Sequence, residues 1–357
     1  MVLKKRPEQL LYLVYGGQDV YRREAKFSIL SALAKCKTPG ELVIRVFTDN
    51  PDDFLGWPVD TVPLSAELLQ EWQGVDGYYH RRKACAIAAG LELAEKTLFV
   101  DTDTLFLVDP LPLIRRIKPE HYWVDEFEFS WDEVKRRSQF LALSQHLQAS
   151  NSPTPAGWRL FNSGVCGLMD RDVGLMTESI KLIDSWSRHV KDLHTLEQIA
   201  LSWVMHGKRI GQTRRQIYHY YSDKKFFHAM HKVFFEQYGE HYREELPGLS
   251  KEVPVYKCVP GFLSRARIKI DLIRTPVALH KVGRDLLYGS VLSTSHYADA
   301  CRAVWWEKGL KEIRLAAHSV DSDGWPQGLP KPSCVAAGKQ WREYSQEHFS
   351  QVGSTRS

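Results

Sequence analysis

Apolar residues keep two rhythms along the first half of this chain. Residues 10–15, Leu-Leu-Tyr-Leu-Val-Tyr, form an unbroken apolar run closed by Gly16-Gly17, the pattern of a buried strand. Over 20–35 the rhythm changes, and Phe27, Leu30, Leu33 and Ala34 recur at helical spacing. Residues 42–47 read as a second strand, ended by the turn signal Thr48-Asp49-Asn50-Pro51. A helix is expected over 80–96, with Ala84, Ile87, Ala88 and Leu91 on one face, leading directly into the apolar run Leu98-Phe99-Val100. Strand, helix, strand, helix, strand predicts an α/β domain: a mostly parallel sheet covered by helices on both faces.

The rhythm is less regular further on. Residues 122–127 read as a strand, and 129–149 as a polar helix or flap ended by Pro153 and Pro155. Residues 158–169 read as a strand broken by a bend at Asn162-Ser163-Gly164. Two helices are expected over 172–191 and 193–207, a strand over 210–221, a charged helical stretch over 224–246 and a helix over 297–317. Three regions follow: a catalytic domain at 1–245, a basic, helical extension at 246–330 and a poorly ordered tail at 331–357 with one short helix at most.

Composition narrows the class. With 43% hydrophobic and 25% charged residues, the chain has the balance of a soluble globular protein. Its six cysteines are scattered without a Cys-x-x-Cys pair, which points away from a disulfide framework or structural zinc and towards a reducing compartment. The first residues carry no signal-peptide apolar stretch and there is no Asn-x-Ser/Thr acceptor, so a cytoplasmic setting is expected. A net charge of +5 is too small to require a nucleic-acid partner. Between residues 257 and 284, however, seven basic residues stand against one acid, Asp271, interleaved with Phe262, Leu263, Ile268, Ile270, Leu272 and Ile273. Two readings fit that segment: a peripheral contact with the anionic inner face of a membrane, or an ordinary basic surface.

Candidate chemistry gathers after Val100. Asp101 and Asp103 stand one residue apart at the carboxyl end of a buried strand, where ligands of α/β sheets bind. In extended backbone they point to the same side and can converge on one hard divalent cation that also takes phosphate oxygens. A solvated acidic turn is the alternative. On the first reading Asp103 is expected to face solvent, so that Asp103→Asn changes chemistry with little effect on folding.

The order of these and later motifs resembles that of nucleotide-sugar glycosyltransferases of the GT-A fold, and is most similar to the family 8 retaining enzymes, over about residues 9–225. The resemblance implies a UDP-sugar donor, a Mn²⁺ or Mg²⁺ ion and a sugar or lipid-linked acceptor. Tyr15, Asp19 and Tyr21 resemble the segment that holds the nucleoside base, and Lys83, with Arg82 beside it, the basic residue facing the diphosphate. Asp101 and Asp103 match the metal motif, and Asn162, Ser163 and Gly164 match the sugar pocket. Glu197-Gln198 resembles the pair near the anomeric carbon, with Glu in place of Asp, and Asp125 is a further candidate to stabilise the cationic sugar. The segment from Ile217 to Lys224 looks like the one that supplies the third metal ligand, His219, and a phosphate-binding lysine, Lys224, but lacks the family's glycine and Pro-Trp. His280, in His-Lys-Val-Gly-Arg, is the other candidate ligand.

Two other classes compete. A phosphatase of the haloacid dehalogenase type also places Asp-x-Asp after an apolar run, but needs Thr or Val where Leu105 stands. A non-catalytic membrane-surface adaptor would use only the basic segment.

Overall fold

The computed structural model describes residues 5–150, 154–190, 193–316, 319–332 and 335–353. They divide into two compact units, 1–221 with 240–251 and 222–239 with 252–357. In chain order the first unit carries β1 (Arg6–Val14), α1 (Asp19–Lys35), β2 (Ile44–Thr48), β3 (Asp60–Pro63), α2 (Ala66–Gln73), α3 (Arg81–Leu91), β4 (Ala94–Val100), β5 (Thr104–Phe106) and α4 (Pro110–Arg115). It continues with β6 (His121–Val124), β7 (Phe127–Ser130), α5 (Trp131–Val134), α6 (Ser138–Ala149), β8 (Arg159–Phe161), β9 (Val165–Met169), α7 (Val173–Ser187), α8 (Leu196–Val204), β10 (Arg209–Gln212) and β11 (Ile217–His219). The chain then forms α9 (Lys224–Tyr238) in the second unit, α10 (Leu246–Leu249) in the first, and α11 (Phe262–Ile273), α12 (His280–Val291), α13 (His296–Leu315) and α14 (Val335–Gly353) in the second.

Seven strands form the main sheet in the order β10-β6-β9-β4-β1-β2-β3. All neighbours run parallel except β9, which is antiparallel to both β4 and β6. The expected α/β class, with a mostly parallel sheet flanked by helices, is the one observed. β1 is central, with Leu10, Leu11 and Tyr12 fully buried, as its unbroken apolar run requires. A clamp fixes the returning segment 240–251 to α1: Glu240 accepts from Arg22 at 2.8 Å, Arg23 at 2.7 Å and Lys26 at 3.2 Å. Burial opposes its charge, but the three cations outweigh it and hold the carboxyl down at about 2.

Several boundaries differ from the sequence expectation, each for a local reason. The helix expected over 80–96 ends at Leu91, and β4 begins at Ala94 with Glu95 exposed, so the strand's polar start hid inside a helical pattern. β3 and α2 carry no strong apolar rhythm: β3 is an edge strand, Asp-Thr-Val-Pro, paired only with β2. The strand expected over 122–127 is divided at Asp125-Glu126 into β6 and β7. The flap divides too, because Ser130 and Glu133 build a capping box that starts α5. Of the two prolines expected to end the flap, Pro153 lies outside the described residues. Charged residues run on to 246, yet α9 stops at Tyr238, since Gly239 takes a φ of +80°. In the tail, 335–353 form α14, whose Trp341 ring packs 5.6 Å from Trp306 and 5.3 Å from Trp325, while 333–334 and 354–357 lie outside the described residues.

Candidate functional site

The site grows from the carboxyl end of β4. Asp101 leaves the strand with its N–H donating to Gly164 O at 2.8 Å, and two residues on Asp103 leads into β5. β5 pairs antiparallel with β11, setting His219 opposite Thr104, while Tyr220 N–H donates to Asp103 O at 3.0 Å. That short ladder delivers an imidazole to the two aspartates. His219 Nε2 lies 3.3 Å from Asp103 Oδ2 and 4.0 Å from Asp101 Oδ2. One ligand atom from each of the three residues lies within 4.8 Å of the others, the only such metal-competent group among the described residues.

What surrounds the triad fixes it. Asp125 Oδ2 meets His219 Nδ1 at 2.8 Å, so a carboxylate orients the ring from behind and leaves Nε2 towards Asp103. Gly164 supports the ring from the side: a Cβ there would stand 2.2 Å from imidazole atoms, so only glycine fits. Lys83, buried on α3, donates to Asp101 Oδ2 at 2.8 Å and to Ser163 Oγ at 3.1 Å, and lies 3.6 Å from Glu197 Oε1. Ser163 Oγ in turn donates to Glu197 Oε1 at 2.8 Å.

Four carboxylates in this connected network, Asp101, Asp103, Asp125 and Glu197, face one ammonium and one imidazole. The imbalance shows in the pKa values. Burial alone would lower both cations, but the acids reverse it: His219 is raised to about 10, chiefly by Asp103 with Asp125 and Asp101, and Lys83 is raised by Asp101 and Glu197. Two hard carboxylate donors, an imidazole and a surplus of negative charge are what a divalent cation requires, so the residues present fit one.

Other expected residues are placed as follows. Asn162 Nδ2 and Gln198 Nε2 both donate to Glu128, at 2.9 and 2.8 Å, which sets the direction of both amides. Arg82 turns away from the triad, donating to Leu69 O and Gln73 Oε1, with its guanidinium 4.9 Å from the Tyr15 ring centre. Asp19 opens α1 and pairs with Arg22 at 2.8 Å, and Tyr21 is exposed on the same helix. Lys224 and His280 belong to the second unit, where each opens a helix, and His280 Nε2 lies 3.1 Å from Thr275 O.

The sequence reading missed three members of the network. Glu128 fell between the strand expected over 122–127 and the flap expected over 129–149, whereas the structure sets it inside β7. Glu24, fully buried on α1, accepts from Thr102 Oγ1 at 2.7 Å and steadies the residue between the two aspartates. Tyr78 accepts the N–H of Glu197 at 3.1 Å and donates to His194 O at 2.8 Å, with Glu197 Oε2 3.3 Å from its hydroxyl, and it also lines a cavity of about 670 Å³ with Asp76, Tyr79, His80, Arg188 and His194. Neither Glu24 nor Tyr78 had a local signal, since both act through tertiary contacts.

Against known proteins, no family model matches the chain and no curated protein matches it. Solved structures do show similarity. Mouse xyloside xylosyltransferase 1, apo form, is 15% identical with a TM-score of 0.38, over 67% of this chain and 94% of that one. Galactosyltransferase LgtC, in complex with donor and acceptor sugar analogs, is 16% identical with a TM-score of 0.38, over 58% and 74%. The glycosyltransferase GlyE of Streptococcus pneumoniae TIGR4 is 14% identical with a TM-score of 0.36, over 68% of this chain and 54% of its own.

Proposed function

We propose that this chain is a metal-dependent glycosyltransferase of the GT-A kind, similar to the family 8 enzymes. It moves a sugar from a nucleoside-diphosphate donor, with UDP favoured, to a hydroxyl of a sugar or lipid-linked acceptor, with retention. The observation that carries this reading is the triad of Asp101, Asp103 and His219 at the end of β4, with Lys83 buried against it. A Mn²⁺ or Mg²⁺ ion held by these three residues would supply a Lewis acid for the diphosphate. Lys83 adds fixed positive charge where the leaving β-phosphate gains its second negative charge.

As the bond from the anomeric carbon to the phosphate oxygen breaks, the electron pair leaves with the phosphate. The acceptor oxygen then bonds to the anomeric carbon, and its proton passes to the departing diphosphate, so no separate general base is needed. The cationic sugar needs stabilising on its far face. Glu128 holds the Gln198 NH₂, which makes the amide carbonyl the atom able to face that cation. Glu197, tied to Lys83, Ser163 and Tyr78, stands one residue before it. Asp125 serves His219 and acts as a positioning residue rather than as the stabiliser.

Three measurements test this. Mass spectrometry of a nucleotide-sugar panel in Mn²⁺ should show slow hydrolysis of one donor, abolished by a chelator; turnover unaffected by metal would count against the reading. Proton NMR of the first product formed from an α-linked donor should show an α linkage, and a β linkage would redirect the mechanism to an inverting base. Finally, His219→Ala should weaken Mn²⁺ binding by more than the roughly 10–100-fold that losing an outer-shell partner costs, whereas His280→Ala leaves it unchanged. An effect in titrations of His280→Ala alone would remove His219 from the metal site.

A further inference from the structure

α11 is amphipathic in two directions. Ile268 and Leu272 are buried in the core of the second unit, in one cluster with Leu279, Val282 and Leu286. Phe262, Ala266, Ile270 and Ile273 follow at i, i+4, i+8 and i+11, which sets them in a separate stripe along the helix, with Leu263 at its edge. Nothing among the described residues covers the stripe: Phe262 is 74% exposed, Leu263 81%, Ile270 62% and Ile273 69%, and Val277 just past the helix is 81% exposed. A soluble surface scatters such residues singly, and a contiguous row marks an interaction site.

Charge identifies the partner. At 3.6 residues per turn, Arg265 and Lys269 fall along one side of the stripe and Arg267 and Arg274 along the other. The structure trims the basic count read from the sequence, because Lys257 is paired with Asp223 at 2.8 Å, Lys281 with Glu312 at 2.6 Å and Arg284 with Asp285 at 2.9 Å. The four that remain are those bordering the stripe. Among the described residues Arg265, Lys269 and Arg274 have no acidic partner, and Arg267 has only Asp271 at 4.0 Å. A second copy of this face would bring like charges together, and a nucleic-acid backbone has no use for five exposed aliphatic and aromatic side chains. An anionic bilayer matches both features: headgroup phosphates for the cations, and the boundary of the acyl region for the stripe. No helix among the described residues is long and apolar enough to cross a membrane, so the contact is with its surface.

We propose that α11 docks the protein on an anionic lipid bilayer, lying in the plane of the interface with Phe262, Leu263, Ile270 and Ile273 set among the headgroups. The interaction needs neither metal nor donor, so flotation of the full chain with vesicles, in their absence, tests it separately from sugar transfer. Vesicles of phosphatidylcholine with phosphatidylglycerol should bind the chain at least tenfold more tightly than phosphatidylcholine alone, and less tightly as salt rises. Phe262→Ser with Ile270→Ser, and separately Arg265→Glu with Lys269→Glu and Arg274→Glu, should each weaken that binding at least tenfold. These side chains are exposed, so the circular dichroism spectrum and the melting temperature should stay unchanged. Absence of vesicle binding, equal binding by all variants, or an effect of the apolar variant confined to self-association in sedimentation equilibrium would overturn the proposal.

Discussion

Asp103→Asn is expected to lower donor turnover by about a thousandfold or more, and to abolish the strengthening of nucleoside-diphosphate binding by Mn²⁺. The amide keeps the shape of the carboxylate but loses its charge, leaving Asp101 as the one carboxylate of the triad beside His219. Calorimetric titration of the nucleoside diphosphate, with and without Mn²⁺, separates the two proteins. Binding that ignores Mn²⁺ in the wild type and is unchanged in the variant would remove the metal assignment. Asp103 does not face solvent as the sequence suggested: it is 3% exposed and its Oδ2 lies 3.3 Å from His219 Nε2. Some folding stability therefore goes with the charge. His219 keeps Asp125 at 2.8 Å, which limits the cost to on the order of 1 kcal/mol. A loss of that size leaves a domain of ordinary stability folded, so it cannot account for a thousandfold change in rate.

The sequence exposed the parts of this molecule whose signal is local. The runs that became β1, β2 and the end of β4 needed no tertiary information, because a strand buried on both faces is mostly apolar, with the buried Arg45 of β2 as the exception. Asp101 and Asp103 were visible for the same reason: their positions follow from where that strand ends. What the sequence could not supply was pairing. His219 reaches the aspartates through the ladder between β5 and β11, strands of three residues each, too short to carry a periodic pattern. The choice between His219 and His280 therefore stayed open in one dimension. Glu128 escaped because acid residues lower strand propensity, and Glu24 because a buried glutamate on a helix looks like a surface one until its partner, Thr102, is known. In 257–284 the count of basic residues was legible, but which of them were already paired was not.

Gly164→Ala is expected to weaken Mn²⁺ binding by about 10–100-fold and to destabilise the fold by about 1–3 kcal/mol, although residue 164 supplies no ligand atom. Its Cβ would stand 2.2 Å from Cε1 and Nδ1 of His219, well inside any tolerable contact. The ring has little room to retreat. Nδ1 is held by Asp125 at 2.8 Å, Nε2 faces Asp103 at 3.3 Å, and the side chain is 6% exposed. The backbone at 164 is equally fixed, since its carbonyl accepts from Asp101 N–H at 2.8 Å and its own N–H donates to Asn162 Oδ1 at 2.8 Å. Whichever side yields, the methyl group separates His219 from the aspartates or pulls Asp101 out of position. Thermal melting and Mn²⁺ titration should therefore fall together, whereas Gly174→Ala, in α7 where a Cβ meets nothing within 4 Å, should leave Mn²⁺ binding unchanged and should not lower the melting temperature. Full Mn²⁺ affinity in folded Gly164→Ala would show that the imbalance of charge, and not the placement of the imidazole, sets metal binding here.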